Sequence, residues 1–382
     1  MTTARNPLLA RLVEYPQARM ERVKAELRAA GKPVYDFGIG DPREPTPRFI
    51  VEALRAAVPD VSQYPSVVGR PELREAVAGY AQRRFGVALD PATQVVPSGG
   101  AKEALFHAAF SFVDPRGPRN LVVYGVPAYP VYERAALFSG GEPYPVQLTR
   151  EGGFLLDLDA LPASVLDRAA MVIVDYPHNP TGATAPLSYY RRLVELSAKH
   201  GFVLCSDEPY TDLYVGDAPA SALQAGPDGV LVFGSCSKRS GMTGYRSGFV
   251  AGDAQLVRAL KDSRPNFGVA SPDFVQLAAA AAWRDDVHAA ERREIFAEKR
   301  ARLLAFLARA GLVAEGGGAF YLWVAVPKGE TSASYEARLL THGVVVAGPS
   351  MFGPSSEGYV RLAMVPTLAE IGGAIAAWEA AL

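Results

Sequence analysis

Short, unbroken runs of apolar residues alternate with helical patterns through the middle of the sequence. Two such runs are NLVVYG at 120–125 and AAMVIVDYP at 169–177, and the helical pattern LSYYRRLVELSAKHG follows the second run at 187–201. Strands that are apolar on both faces are typical of a parallel sheet with helices packed on either side. The sequence therefore predicts the α/β fold class, with a large domain at about 46–275.

The C-terminal part of the sequence has a different pattern. A long amphipathic helix is predicted over 289–310. Strand-like segments follow it at GGAFYLWVAV (317–326), GVVVAG (343–348) and YVRLAMV (359–365). We expect the N-terminal helix and VYDFGIGDP (34–42) to join these segments in a smaller α+β domain made of 1–45 and 276–382.

Composition argues against several classes of partner. Lys and Arg total 39 and Asp and Glu total 40, so no excess of charge favours nucleic acid or an anionic membrane surface. The two cysteines, Cys205 and Cys236, lie in apolar runs and form no CxxC or disulfide pattern. The N-terminal segment carries charges throughout, unlike a signal peptide, and no apolar run is long enough to cross a membrane. We expect a cytoplasmic protein that binds neither nucleic acid nor a membrane.

Polar, charged or aromatic residues follow the predicted strands at their carboxyl ends. In chain order they are Ser98 to Lys102, Tyr129, His178 and Asn179, Asp207 and Tyr210, and Ser235 and Lys238. In an open α/β sheet, ligands bind at the edge where the strands have their carboxyl ends. The sequence therefore predicts one site that gathers these residues.

The residue types at this edge fit one chemistry. A buried lysine has a lowered pKa and attacks carbonyl groups, which suits Lys238. Arg246, Ser235 and the N–H groups of the helix that starts near Ala101 form an anion site suited to phosphate. Asp207 follows an apolar run, so we expect it to be buried, and a buried carboxylate needs a cation beside it. Pyridoxal phosphate has the carbonyl, the phosphate and the protonatable ring nitrogen that satisfy all three.

Six motifs make the sequence resemble the fold-type I pyridoxal-phosphate aminotransferases of class I/II. The motifs are FGIGDP (37–42), YPSVVGRPELREA (64–76), HNPTG (178–182), DEPY (207–210), SCSKRSGMTGYRSG (235–248) and YVRLAM (359–364). They follow the order and spacing of the family over nearly the whole chain. The resemblance implies a large domain with a mainly parallel, seven-stranded sheet flanked by helices. It also implies a pyridoxal-phosphate enzyme that moves an amino group between an amino acid and a 2-oxo acid.

The same resemblance implies the catalytic roles. Lys238 would form a Schiff base with the cofactor and then move a proton between the substrate and the cofactor. Asp207 would pair with the ring nitrogen, and Asn179 and Tyr210 would hydrogen-bond the oxygen on the ring. Tyr129 would stack on the face of the ring.

Further implied roles concern the phosphate, the substrate and a second subunit. The groups implied at the phosphate are the backbone N–H groups of Ala101 and Lys102 and the side chains of Ser235 and Arg246. Tyr64 would reach the phosphate of the neighbouring subunit's cofactor, which implies a homodimer with shared active sites. Arg361 would bind the α-carboxylate of the substrate, next to Gly40 and Asn179.

Only a closer resemblance to one subgroup of the family constrains the identity of the substrate. IGDPREPTP (39–47) and the SKRS motif that starts at Ser237 are most similar to N-succinyldiaminopimelate aminotransferases of lysine biosynthesis. This predicts N-succinyl-L,L-diaminopimelate as donor and 2-oxoglutarate as acceptor, with Arg43, Arg239 and Arg264 as candidates for the distal carboxylate. An aspartate or broad-specificity aminotransferase is the alternative, and a carbon–sulfur β-lyase is the second alternative. No spacing of histidines or cysteines indicates a metal site.

Overall fold

The computed structural model describes residues 6–11, 16–318 and 320–382. Its α-helices are α1 (Pro16–Ala29), α2 (Arg48–Ala57), α3 (Pro71–Phe85), α4 (Ala101–Phe112), α5 (Val131–Phe138), α6 (Ala163–Arg168), α7 (Leu187–His200), α8 (Cys236–Arg239), α9 (Ala254–Ser263), α10 (Asp273–Arg284), α11 (Val287–Arg309), α12 (Ser332–Thr341), α13 (Pro349–Phe352) and α14 (Leu368–Glu379). Its strands are β1 (Tyr35–Asp36), β2 (Val95–Ser98), β3 (Leu121–Val126), β4 (Glu142–Gln147), β5 (Ala169–Asp175), β6 (Val203–Asp207), β7 (Val230–Ser235), β8 (Gly248–Gly252), β9 (Ala314–Glu315), β10 (Tyr321–Ala325), β11 (Val344–Val345) and β12 (Tyr359–Ala363).

The largest sheet has seven strands in the order β2-β8-β7-β6-β5-β3-β4. Strands β3 to β7 pair in parallel, and β8 lies antiparallel between β7 and β2. The expectation of an α/β fold with a mainly parallel seven-stranded sheet is therefore confirmed. The parallel pairing brings the carboxyl ends of β5, β6 and β7 to one edge, where the site lies.

Both faces of this sheet are buried, which explains the unbroken apolar runs. Along β5, Val172 and Val174 belong to the core on one face, and Met171 and Ile173 belong to the core on the other. All four side chains are buried. A strand covered on both faces cannot alternate apolar and polar residues, so its sequence reads as a continuous run.

Strand β4 lies at the edge of the sheet, and the apolar runs did not indicate it. Its sequence EPYPVQ carries Pro143 and Pro145, which weaken a strand prediction. Glu142 and Leu148 donate their N–H groups to backbone oxygens of the β3 side. The prolines occupy the alternate positions, where an N–H group would point away from β3, so the edge tolerates them.

A second group of strands has its own core. Strands β12, β10 and β9 form an antiparallel sheet, and β1 pairs in parallel with β11. Phe37, Phe296, Leu322 and Trp378 are fully buried in this core, which α11 and α14 help to build. This arrangement is an α+β unit, as the C-terminal pattern indicated.

The packing of α10 places the division between the two units after this helix. Helix α10 contacts α2 and α3, and Ala278 and Trp283 lie in the core of the large sheet. We therefore propose that the boundary lies at the turn between α10 and α11, about ten residues beyond the position expected from sequence. Within the described residues, no helix combines the length and the apolar character needed to cross a bilayer.

Candidate active site

A cavity of about 620 Å³ opens at the carboxyl edge of the large sheet. The residues predicted for the site that line it are Gly40, Ala101, Lys102, Tyr129, Asn179, Asp207, Tyr210, Ser235, Lys238, Arg246 and Arg361. They come from loops after five strands of the large sheet, from the segment after β1 and from β12. The cavity therefore lies between the two units.

Lys238 lies in the short helix α8, directly after β7. Ser235 ends β7, and its Oγ accepts the Ser237 N–H at 3.1 Å, which starts the helix. The Lys238 Nζ donates to the carbonyl oxygen of Gly40 and lies 5.6 Å from the centre of the Phe320 ring. Burial lowers the pKa of Lys238 to about 8, because desolvation disfavours the ammonium. The neutral, nucleophilic form of this amine is therefore a minority at neutral pH and about half of the total near pH 8.

Asp207 ends β6 on the floor of the cavity. Its Oδ2 accepts a hydrogen bond from the Tyr132 hydroxyl at 2.9 Å, and its Oδ1 is buried without a hydrogen-bond partner among the described residues. Burial raises the pKa of Asp207 to about 7. A carboxylate buried in this way is stabilised by a cation, so the floor suits a protonated ring nitrogen.

The anion site is formed by the start of α4 and by Arg246. Gly100, with φ +100°, precedes the helix, and a Cβ there would lie 2.8 Å from Nη2 of Arg246. At Gly248 a Cβ would lie 2.4 Å from the Gly234 oxygen and 2.9 Å from the Gly100 Cα. Only glycine at these positions lets the guanidinium, the helix N-terminus and the adjacent strand come this close. The free N–H groups of α4 and the Arg246 charge then face the cavity together.

Arg361 is a buried cation on β12, only 3% exposed. Its Nη1 donates to Asn179 Oδ1 at 2.7 Å, its Nη2 donates to the Gly38 carbonyl oxygen, and its Nε has no partner in the described chain. The rings of Tyr321 and Phe352 lie 4.5 and 4.8 Å from its guanidinium carbon. These contacts are to neutral groups, so the cation suits an anionic ligand such as a carboxylate.

Comparison with known proteins identifies the family. The model of the class I and II aminotransferases matches residues 32–377. The chain belongs to this aminotransferase family. An LL-diaminopimelate aminotransferase of Nitratidesulfovibrio vulgaris is 40% identical over 365 residues, with 93% of each chain covered.

Solved structures agree with the family. Substrate-bound BacF from Bacillus subtilis superimposes with a TM-score of 0.93 and 27% identity, over 99% of this chain and 98% of that one. A probable N-succinyldiaminopimelate aminotransferase from Thermus thermophilus gives a TM-score of 0.87 at 27% identity, over 96% and 100% of the chains. Because members of this family use pyridoxal phosphate, this aminotransferase is a pyridoxal-phosphate-dependent transaminase.

The cavity of the aminotransferase fits this cofactor. The buried Oδ1 of Asp207 has no partner in the described chain, as expected for an atom that receives a ring N–H. The groups that would hold the phosphate are the start of α4, Ser235 and Arg246, and Lys238 would supply the amine for the aldehyde. The described residues contain no group of three or more His, Cys, Asp or Glu that could hold a metal ion.

Tyr210 and Tyr129 lie at the cavity in different environments. Tyr210 is buried, its hydroxyl is 2.9 Å from that of Tyr321, and its ring stacks on Phe320. Tyr129 is half-buried, and the Lys102 Nζ lies 6.0 Å from the centre of its ring. Both positions are compatible with the ring contacts that the family resemblance implies.

Tyr64 lies outside this cavity. Its side chain is fully exposed, at 103% of the reference value. The same segment exposes Val58, Val61 and Val68. The assignment of Tyr64 to the neighbouring subunit's cofactor stays a prediction, because it requires a second copy of the chain.

Two important cavity residues were missed by the sequence reasoning. Tyr321, on β10, lines the cavity beside Arg361, and a Cβ at Gly40 would lie 2.6 Å from its hydroxyl. Asp175, the last residue of β5, lies on the floor opposite Asp207. The sequence feature that could have indicated Asp175 is a carboxylate at the carboxyl end of a fully apolar strand. Tyr321 had no comparable signal within its apolar strand.

None of the three arginines considered for a distal substrate carboxylate lines the cavity. Arg239 is buried and pairs with Asp212 and Asp286, and Arg264 is buried and pairs with Glu103. Arg43 pairs with Glu370 at the surface. Each of these cations already has an internal carboxylate.

Proposed function

We propose that this aminotransferase takes LL-diaminopimelate as amino donor and 2-oxoglutarate as acceptor. The observation that carries the proposal is the 40% identity, over 93% of the chain, to an LL-diaminopimelate aminotransferase. The distribution of charge in the cavity supports the same donor, because the far end of diaminopimelate is a zwitterion with one ammonium and one carboxylate.

The cations that line the cavity leave little positive charge to bind a second anionic end of the donor. Those that line it in the described chain are Lys102, Lys238, Arg246 and Arg361. In the assigned roles, Lys238 and Arg246 bind the cofactor and Arg361 binds the α-carboxylate, whereas only the backbone N–H group of Lys102 has an assigned role. The acidic residues that line the cavity in the described chain are Asp41, which is exposed, and Asp175 and Asp207, which lie on the floor. An ammonium at the far end of the donor suits Asp41 better than a succinyl carboxylate does.

The residues of the chain divide the work of the reaction. Pyridoxal phosphate, when bound, supplies the aldehyde that receives the amino group and a ring that withdraws electrons from the substrate Cα. Arg361 holds the α-carboxylate of the donor, so the bond that breaks has one orientation. The Lys238 amine, with its pKa lowered by burial, takes the Cα proton as a general base. Asp207 holds the charge that keeps the ring nitrogen protonated.

A second candidate donor is N-succinyl-L,L-diaminopimelate. Two observations favour it: the similarity of the 39–47 and 237–253 segments to that subgroup, and the structural match to the Thermus thermophilus protein. In this donor the distal amine is a neutral amide that carries a succinyl carboxylate. The added carboxylate requires a further cation, from the Lys102 side chain at the cavity or from a partner subunit.

A donor assay separates the candidates. Purified enzyme is given LL-diaminopimelate, its N-succinyl derivative or aspartate with 2-oxoglutarate, and glutamate is measured. We expect the highest kcat/KM with LL-diaminopimelate, and Asp41→Asn should raise KM for that donor more than for aspartate. Higher kcat/KM with the succinylated donor rejects the first proposal in favour of the second. Lys238→Ala should fold and lose turnover with all three donors.

We further propose that the enzyme works as a homodimer in which Tyr64 completes the neighbouring site. The full exposure of Tyr64 on a segment that also exposes valines supports this arrangement. Sedimentation should give a dimer, and Tyr64→Phe should weaken cofactor binding while leaving the dimer intact. A monomer that binds the cofactor with the same affinity as the wild type contradicts this part of the proposal.

A further inference from the structure

Asp175 is a buried acid in the cavity for which the reaction described above has no role. It ends β5, pairs in register with Asp207 on β6, and is 4% exposed. Its Oδ2 accepts the backbone N–H of Asn179 at 3.1 Å, and its Oδ1 is buried with no partner in the described part of the chain. The floor of the cavity therefore carries two neighbouring carboxyl groups, each with one oxygen that lacks a partner.

Two ionised carboxylates are unfavourable at this position. Register partners on adjacent strands lie roughly 5 Å apart, and like charges so close in a buried site cannot both ionise readily. In the described chain neither acid forms an ion pair: Lys238 bonds Gly40, and Arg361 bonds Asn179 and Gly38. The pair titrates as a unit, and one carboxyl retains its proton over a range where exposed acids have lost theirs.

The surroundings decide which carboxyl keeps the proton. Burial and the nearby Asp207 raise the pKa of Asp175 well above its usual range, against smaller lowering contributions from the Asn179 N–H and the Tyr132 hydroxyl, and burial raises the pKa of Asp207 to about 7. The Tyr132 hydroxyl stabilises the ionised form of Asp207 by donating to its Oδ2. A protonated ring nitrogen next to Asp207 favours that anion further. Asp175 is then the acid that stays neutral.

We propose that Asp175 is a positioning residue of the cofactor site that carries a proton in the holoenzyme and so leaves Asp207 as the single carboxylate anion of the floor. A proton on Oδ1, which has no partner in the described chain, would make that atom a hydrogen-bond donor. The floor then carries one negative charge to match the one positive charge of the ring nitrogen. This inference rests on the pyridoxal-phosphate site and not on the identity of the amino donor.

Infrared spectroscopy of the holoenzyme tests the proposal directly. A protonated carboxyl group has a C=O stretching band that shifts in heavy water, and an ionised carboxylate lacks this band. We expect the band in the wild type and its loss in Asp175→Asn. The matched control is Glu208→Gln, because burial also raises the pKa of Glu208, to about 7, so this variant shows whether the band comes from Glu208 instead. The band should persist in this control.

A spectral titration separates a proton-carrying role from a merely structural one. Asn at 175 keeps the acceptor for the Asn179 N–H and supplies a neutral donor. If Asp175 is neutral, the pKa read from the absorption of the bound cofactor should move little in Asp175→Asn. If Asp175 is ionised, removal of its charge shifts that pKa by about 1–3 units. Such a shift, or a wild type without the carboxyl band, overturns the proposal, and the wild-type spectrum needs no variant to fold.

Discussion

Arg292 donates a hydrogen bond from its Nε to the backbone carbonyl oxygen of Lys238 at 3.0 Å. Arg292 lies on α11, is 4% exposed, and also contacts the Pro45 carbonyl oxygen at 3.5 Å. Two helical turns further along α11, Lys299 pairs with Glu44. The helix therefore holds both the main chain of Lys238, the proposed catalytic lysine, and the 40–45 segment that closes one side of the cavity.

Replacement of Arg292 by methionine should lower kcat by up to about 10²-fold, because small displacements of a catalytic group have effects of that size. The pKa of Lys238 should also rise, since Arg292 adds to the lowering that burial causes. Single-turnover kinetics and the pH dependence of the cofactor's absorption measure the two effects.

Two variants control for charge and for general damage to the helix. Arg292→Lys keeps the charge but loses the planar guanidinium, so it should restore the pKa more than the rate. Arg302→Met removes an exposed arginine of the same helix that pairs with Glu298, and should behave as the wild type. If Arg292→Met matches Arg302→Met in both measurements, the contact to Lys238 has no role in positioning.

The cofactor should attach to the apoenzyme with a pH dependence set by Lys238. The amine must be unprotonated to attack the aldehyde, and burial lowers its pKa from 10.5 to about 8. The rate constant of attachment should therefore rise with pH and level off above about 8. Stopped-flow absorbance after mixing apoenzyme with pyridoxal phosphate gives the midpoint, and a midpoint near 10.5 contradicts a buried, neutral amine.

The fold was predictable wherever burial acts on a whole element. The apolar runs indicated the central strands, since burial on both faces excludes polar residues along a strand such as β5. Edge strand β4 was not predictable in this way, because it is partly exposed. Its two prolines are tolerated only because they stand where an N–H group would point away from β3. The position of α10 in the large core depends on contacts with α2 and α3 that lie far away in sequence.

The site shows the same distinction. Lys238 and Asp207 were predictable because they are polar residues at the ends of apolar strands. Arg239 and Arg264 were only candidates for substrate ligands, because the sequence gives the charge of an arginine but not its partner. Only the packing brings Asp212 to Arg239 and Glu103 to Arg264. Tyr321 became part of the cavity through the approach of β10 to Gly40.

Replacement of Arg264 by methionine should destabilise the protein without changing donor preference. Arg264 is 2% exposed and pairs with Glu103, which also accepts the Gly99 N–H just before α4. Loss of one partner of such a pair should reduce the free energy of unfolding by about 3 kcal/mol. Denaturant unfolding measures the loss, and the ratio of kcat/KM between donors should stay constant. Arg43→Met is the matched control, since its exposed pair with Glu370 should contribute at most about 1 kcal/mol.

Glu103 should stabilise the protein above mildly acidic pH. Burial alone would raise its pKa, but hydrogen bonds from His107 and Arg264 lower the pKa from 4.5 to about 2. A carboxylate with a lowered pKa stabilises the folded state above its unfolded pKa, and this contribution is lost as the pH falls from 4.5 toward 2. The difference in unfolding free energy between the wild type and Glu103→Gln should therefore shrink over that range. A difference that is constant with pH contradicts the assigned pairing.

Replacement of Arg361 by lysine should weaken donor binding and leave cofactor binding intact. The buried guanidinium is held by Asn179 and Gly38 and is flanked by the rings of Tyr321 and Phe352, so its orientation is fixed before a ligand arrives. Lysine keeps the charge but loses the planar, paired donors that match a carboxylate. The kcat/KM for the donor should fall about 10- to 100-fold, the size of a charged hydrogen bond. Absorbance titration with pyridoxal phosphate should give an unchanged dissociation constant. A loss of cofactor affinity equal to the loss in kcat/KM would place Arg361 at the cofactor and leave the substrate carboxylate without its assigned partner.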